Sequence, residues 1–230
     1  MTSNQQTLND LKLCLSMGDY GFEILNYFKG VPFTSKVTLH QISDDRIFFI
    51  VQPPNSILLT PGTSTLLIHE GFLDPIRVQV LSFDIVEGIV EVGGFTYTSR
   101  KVGSRREVRL EPEINRKVEI SGESIKTRGT VTDISMSGIG VTVESRATFN
   151  RGDLLHLAIR LPAGTARLDG KIMKISAQEN QNRLAIEFTG VPTEKTPLVL
   201  YISKRSQEIR SEVQKMYDEA IQLAESGVKE

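Results

Sequence analysis

Short runs of β-branched and aromatic residues recur along most of the chain, with turn-forming residues between them. Regularly spaced short strands of this kind are typical of small closed or sandwiched β domains. The first series predicts strands at 22–28, 35–42, 46–51, 64–69, 74–84 and 88–96. The second series predicts strands at 116–121, 125–134, 140–144, 154–161, 166–176 and 183–188. Each series has enough strands for one small β-barrel.

Helical periodicity marks the two ends of the chain. Leu8, Leu11 and Leu15 follow helical spacing, and Gly18 ends the pattern as a C-cap would. A second helix is predicted from about 197 or 204 to 224. Its apolar stripe has 4-3-4-3 spacing and consists of Ile209, Val213, Met216, Ala220 and Leu223. The stripe favours docking against the end of a barrel, and a homodimer seam is the alternative.

A basic stretch separates the two β series. Between Arg100 and Arg109 the chain carries five basic residues and one acidic residue, and the apolar alternation fades. We therefore predict a boundary here, with a first domain over 1–98 and a second over 99–230. The expected fold class is mainly β: two small β-barrel domains in tandem, with a short N-terminal helix and a C-terminal helix.

The composition restricts where the chain can act. The 230 residues carry a net charge of −1, so any anion-binding site must come from a local basic patch. Cys14 is the single cysteine, which excludes an intramolecular disulfide and fits a reducing cytoplasm. No apolar run approaches the roughly 20 residues of a membrane helix, and the first residues lack the features of a signal peptide. We expect a cytoplasmic protein without membrane insertion.

The first chemical motif lies in the basic stretch. Arg105 and Arg109 have R-x-x-x-R spacing, and Arg106 follows the first of them. Guanidinium groups form paired, charge-assisted hydrogen bonds with phosphate oxygens and stack on flat rings. Several on one flexible segment suit a ligand with two phosphates and two purines. Taken alone, the run is more typical of a solvated charged linker.

The second motif is a D-x-S-x-x-G pattern between two predicted strands. Asp133 can accept hydrogen bonds from the N1 and N2 donors of a guanine, and the Ser135 hydroxyl can serve other polar atoms of the ligand. Gly138 would permit a positive φ and a close approach of the backbone to the ligand. The same residues are also typical of an ordinary polar turn.

The two motifs, in this order and in a barrel-like context, resemble the PilZ domain over about residues 99–226. The resemblance implies a bacterial receptor for cyclic di-GMP that requires no cofactor. Arg105 and Arg109 would hold phosphates or guanines, Arg106 and its basic neighbours would add attraction, and Asp133 and Ser135 would read a guanine edge. The implied ligand-binding residues are Arg100, Lys101, Arg105, Arg106, Arg109, Asp133, Ser135, Ser137 and Gly138.

The preceding domain, by its length and position, resembles the N-terminal barrel of YcgR-type flagellar brake proteins. That resemblance implies a linker that is mobile when empty. Ligand would then order the linker and reorient the two domains. The output would be motility or biofilm control through an unidentified protein target, for which flagellar motor components are the natural candidates.

Three other functions are weighed against this one. His40, His69 and His156 are isolated, no metal-ligand spacing is present, and neither a nucleophile elbow nor a phosphate loop occurs, so we predict neither an enzyme nor a metal site. A nucleic-acid-binding barrel would use aromatic residues among its basic ones, and none interleaves with the arginines, so we expect no nucleic acid partner. A ligand-independent PilZ-like interaction scaffold is the remaining alternative.

Overall fold

The computed structural model describes residues 4–16, 21–98, 108–123, 125–144, 148–178, 181–189 and 196–227. The helices are α1 (Asn4–Ser16) and α2 (Thr196–Gly227), with a short 3-10 helix at Asn55–Leu58. The first six strands are β1 (Glu23–Phe28), β2 (Val31–Ile42), β3 (Ile47–Val51), β4 (Ser64–Ile68), β5 (Ile76–Asp84) and β6 (Ile89–Tyr97). The second six are β7 (Lys117–Ser121), β8 (Lys126–Ile134), β9 (Gly138–Glu144), β10 (Leu154–Leu161), β11 (Gly164–Gln178) and β12 (Gln181–Thr189).

The first six strands form a closed barrel in the order β1-β2-β3-β6-β5-β4. Inward and outward side chains alternate along strands such as β3 and the first part of β5, because successive side chains of a strand point to opposite faces. The core contains large buried side chains such as Phe22, Phe49 and Phe95. The apolar face of α1 joins this core through Leu8, Leu11 and Leu15, the residues whose spacing predicted the helix.

A polar contact also joins α1 to the first barrel. The Tyr97 hydroxyl donates to the Asp10 carboxylate at 3.2 Å. Burial, together with the negative charge of Asp10, raises the pKa of Tyr97 to about 12. The side chain therefore remains a neutral hydrogen-bond donor at physiological pH.

The second six strands form another closed barrel, in the order β10-β11-β12-β9-β8-β7. Along β10 the exposure alternates regularly, with Leu155, Leu157, Ile159 and Leu161 facing inward. Closure places β9 between β8 and β12, so residues of these three strands share one outer face. The ligand-site residues predicted on the second barrel lie at the Ile134 end of β8 and in the turn that follows.

The long helix α2 is divided between two compact units. The first unit comprises 1–28, 32–106 and 210–230, and the second comprises 29–31 and 107–209. In the second unit, Leu198 and Tyr201 of α2 are buried, and the Arg116 guanidinium lies 4.8 Å from the centre of the Tyr201 ring. In the first unit, the Arg210 guanidinium lies 5.3 Å from the centre of the Phe33 ring.

The predicted apolar stripe of α2 is buried only in its first part. Ile209 and Val213 are fully buried, whereas Leu223 is 73% exposed. Met216 and Ala220 of the stripe are partly buried, as are the neighbouring Ile221 and Ala224. Burial of Ile209 and Val213 supports docking for this part of the stripe. The homodimer seam stays a prediction.

The predicted fold class is confirmed: the chain is mainly β, with two closed barrels, an N-terminal helix and a C-terminal helix. Gly18, the predicted C-cap, lies outside the described residues. The domain boundary at 98/99 also stays a prediction, because the structure describes neither 99–100 nor 101–107. The units divide α2, whereas the sequence had assigned the whole helix to the second domain. In the described part of the chain, no helix is both long and apolar enough to cross a lipid bilayer.

Candidate functional site

Asp133 lies near the end of β8, directly after an irregularity in the β8–β9 pairing. The register shifts between Val131 and Asp133, which puts Asp133 opposite Gly140 of β9. Such a bulge locally bends the strand and redirects its side chains. The Asp133 side chain is only 14% exposed, and a Cβ at Gly140 would collide with its Oδ2 atom. The missing side chain of Gly140 therefore makes room for the Asp133 carboxylate.

Ser135 forms the turn between β8 and β9. Its hydroxyl accepts the backbone N–H of Gly138 at 3.0 Å and that of Ser137 at 3.3 Å, and it donates to the Gly138 carbonyl at 3.1 Å. The residue is 1% exposed. In this geometry the hydroxyl holds the turn, and the predicted contact with a ligand would require the turn to open.

Gly138 allows a close approach of the β12 backbone, whereas the sequence predicts a close approach to the ligand. Its φ does not lie in the left-handed region, so the expected positive φ is wrong. A Cβ at this position would lie 2.6 Å from the Ile186 carbonyl oxygen of β12. The glycine is needed because the turn packs against the β12 backbone, where the Phe188 N–H donates to the Ser137 carbonyl at 2.7 Å.

Arg109 is brought to Asp133 by a short piece of β pairing. Leu110 forms an isolated bridge with Ile134, and their backbone hydrogen bonds measure 2.8 and 2.9 Å. In this antiparallel bridge Arg109 and Asp133 are diagonal neighbours whose side chains lie on the same face, opposite to that of Leu110 and Ile134. Nη1 of Arg109 consequently lies 3.8 Å from Oδ1 of Asp133. The last arginine of the first motif and the aspartate of the second thus occupy one site.

A second arginine at the carboxylate was not predicted from the sequence. Nη2 of Arg183, on β12, lies 2.9 Å from Oδ2 of Asp133. The same oxygen accepts from the Thr132 hydroxyl at 3.3 Å. Arg183 belongs to no recognisable motif and is 50 positions away from Asp133, so only the strand order reveals it. Gly140 had a local signal, because a glycine inside a strand indicates a close approach.

The remaining predicted residues fall into two groups. Ser137 is exposed in the turn, next to the site. Arg100, Lys101, Arg105 and Arg106 lie outside the described residues, so their part in the site stays a prediction.

Other features of the described residues do not involve the predicted site. A groove of about 820 Å³ runs over the outer faces of β7, β8, β10 and β11, and none of the predicted residues lines it. No group of three or more His, Cys, Asp or Glu side chains in the described part of the chain could hold a metal ion.

The family comparison matches the second barrel. Residues 104–203 match the model of the PilZ domain. The matched segment includes the arginine motif, the Asp133 turn and Arg183. The second barrel is therefore a PilZ domain, as the two motifs predicted, and it follows a first barrel in the same chain.

Several solved structures resemble the chain over most of its length at low identity. The Bacillus subtilis Inhibitor of motility (MotI/DgrA) has 15% identity and a TM-score of 0.39, covering 80% of this chain and 94% of that one. Escherichia coli YcgR in complex with c-di-GMP has 16% identity and a TM-score of 0.42, covering 92% and 95%. K. pneumonia MrkH in its apo state has 13% identity and a TM-score of 0.42, covering 92% and 98%. The comparison with curated proteins found no match.

Proposed function

We propose that this chain is a cyclic di-GMP receptor, with the binding site at the outer edge of the PilZ barrel. The main support for the proposal is the proximity of Arg109 and Asp133: Nη1 of Arg109 lies 3.8 Å from Oδ1 of Asp133. The pair combines a cation suited to a phosphate or a guanine face with an acceptor suited to the N1 and N2 donors of guanine.

The electrostatics of the site favour an anionic ligand that also carries donor groups. Two guanidinium groups flank one carboxylate, which leaves one net positive charge before the linker arginines are counted. The carboxylate is mostly buried while both arginine side chains are about half exposed, at 48% and 53%. A ligand approaching from solvent would meet the cations first and the acceptor beneath them.

The linker residues complete the proposed site. Arg105 would hold a phosphate or stack on a guanine, and Arg106, Arg100 and Lys101 would add attraction with less defined geometry. Binding would order this segment and change the relative orientation of the two domains. Small-angle scattering checks this step: the profile should change on addition of ligand, and identical profiles would contradict it.

The receptor would act through protein contacts and without a catalytic step. Its output would be motility or biofilm control through a protein target, with flagellar motor components as candidates. We place it in the cytoplasm, where a chain with a single cysteine meets no oxidising environment.

Calorimetric titration with cyclic di-GMP tests the proposal. The wild-type chain should bind saturably. Arg109→Ala and Asp133→Ala should each weaken binding by about 10- to 100-fold, because a hydrogen bond to a charged group contributes about 1.5–3 kcal/mol. Arg128→Ala is the matched control, since Arg128 is an exposed arginine of the same barrel that pairs with Glu119 instead. Absence of saturable binding, or unchanged affinity in both site variants, would contradict the proposal.

A further inference from the structure

Of the two described arginines at Asp133, Arg183 lies closer, and it is not among the residues predicted for the site. Its Nη2 atom is 2.9 Å from Oδ2 of Asp133, compared with 3.8 Å between Arg109 Nη1 and Oδ1. A guanidinium group has five N–H donors. Since the side chain is 53% exposed, donors beyond the one directed at Asp133 face the solvent side of the site.

The topology explains how Arg183 reaches Asp133 across an intervening strand. Asp133 is on β8 opposite Gly140 of β9, and Gly140 is opposite Ala185 of β12, two positions from Arg183. Strands β8 and β12 are therefore separated by roughly 9.6 Å, twice the spacing of neighbouring strands. Gly140 has no side chain and Ala185 only a methyl group, so the long Arg183 side chain can cross β9 to the carboxylate.

The same small residues leave a flat surface beside the ion pair. Gly140 and Ala185 continue the row that starts at Asp133, across three adjacent strands. Because Arg183 crosses this row to reach Asp133, a planar purine edge would approach alongside its guanidinium group, where Gly140 and Ala185 add no bulk. It would encounter an acceptor from Asp133 and, directly next to it, a donor from Arg183.

We propose that Arg183 reads the O6 atom of a guanine whose N1 and N2 donors are accepted by Asp133. This inference rests on the proposed binding of cyclic di-GMP. The pairing edge of guanine presents one acceptor, O6, followed by two donors, N1–H and N2–H₂. The adjacent donor and carboxylate of Arg183 and Asp133 have the complementary order. Adenine would place an amino donor against Arg183 and a bare ring nitrogen against the carboxylate, so the pair selects guanine.

A ligand analogue that lacks O6 distinguishes recognition of O6 by Arg183 from two other roles, a contact with a phosphate and the positioning of Asp133. The cyclic dinucleotide of 6-thioguanosine keeps both phosphates and the N1 and N2 donors, but a sulfur atom, which is a weak acceptor, replaces the oxygen at position 6. Arg183→Ala should weaken cyclic di-GMP binding by about 10- to 100-fold, the factor for one charged hydrogen bond. The same substitution should weaken binding of the analogue by a much smaller factor, because its contact at position 6 is already weak.

Equal weakening for both ligands would overturn the inference. A phosphate contact by Arg183 would give that result, and so would a role confined to positioning Asp133, since the analogue retains the groups involved. Arg160→Ala is the control. Arg160 is exposed on the same barrel, and its Nη2 atom lies 3.4 Å from Oε1 of Glu119. Its substitution should leave the affinities for both ligands at wild-type values.

The failure of this inference can be distinguished from failure of the proposed function. If wild-type protein binds cyclic di-GMP and Asp133→Ala weakens it while Arg183→Ala does not, Arg183 has no reading role and the receptor function stands. If wild-type protein shows no saturable binding, both are overturned. Thermal unfolding of Arg183→Ala should show a folded protein with a lower melting temperature, because the substitution removes one partner of the mostly buried Asp133 carboxylate.

Discussion

The replacement of Gly140 by alanine tests how the site holds its aspartate. A Cβ at this position would collide with Oδ2 of Asp133 and lie 2.7 Å from the Thr132 hydroxyl oxygen. Both neighbours are side-chain ends, and the backbone of Gly140 is not in the left-handed region. Alanine can therefore be accommodated if the Asp133 carboxylate and the Thr132 hydroxyl group both move.

The size of that movement sets the expected loss of affinity. The carboxylate must shift by about 1 Å or more to restore an ordinary van der Waals separation from the new methyl group. A 2.9 Å hydrogen bond to Arg183 does not survive such a shift, and neither would a ligand hydrogen bond of similar length. One charged hydrogen bond contributes about 1.5–3 kcal/mol, so affinity for cyclic di-GMP should fall by about 10- to 100-fold.

Calorimetry on Gly140→Ala and a matched control measures this effect. The control is Thr130→Ala, a substitution on β8 of the same hairpin, which should bind as the wild type does. Thermal unfolding should show a cooperatively folded Gly140→Ala protein that is less stable than the wild type by about 1–3 kcal/mol, since the new methyl group displaces a mostly buried carboxylate. Wild-type affinity in a folded Gly140→Ala protein would refute the claim that the Asp133 position determines binding.

Three further predictions concern other parts of the molecule. Gly138→Ala should lower the melting temperature in calorimetric scans, because its Cβ would lie 2.6 Å from the Ile186 carbonyl and overpacking costs about 1–3 kcal/mol; an unchanged melting temperature would contradict the packing described. Tyr97 has a pKa of about 12 in the folded chain, above its unfolded value of about 10. The folded state therefore keeps the proton to higher pH, and the free energy of unfolding should fall between about pH 10 and 12. Denaturant unfolding should show that Tyr97→Phe removes the contribution of Tyr97 to this decrease. Arg105→Ala should weaken cyclic di-GMP binding by about 10- to 100-fold, and calorimetry that gives wild-type affinity would exclude Arg105 from the site.

The barrels could be predicted because their signal is local. Strands such as β10 carry their own alternation of inward and outward residues, as the regular burial pattern of Leu154–Leu161 shows. Turn residues then mark where each strand ends, so the strands can be counted from the sequence alone. The pairing order was less accessible, because it depends on how twelve such segments close into two separate barrels.

The site could be predicted only where its residues are adjacent in sequence. The Asp133 turn is a local motif and was found, but the reason for Gly138 lies in the backbone of β12, about 50 residues later. Ser135 was expected to contact ligand, whereas its burial and its turn hydrogen bonds depend on the packing of that turn. Arg183 reaches Asp133 only because barrel closure places β12 next to β9.

Chemical-shift mapping with cyclic di-GMP tests the central claim most directly. As ligand is added to ¹⁵N-labelled protein, the account predicts saturable shifts centred on the amides of Arg109, Asp133 and the following turn through Gly140, with Arg183 also affected. Shifts centred instead on the outer face of β7, β10 and β11, or no shifts at saturating ligand, would contradict it.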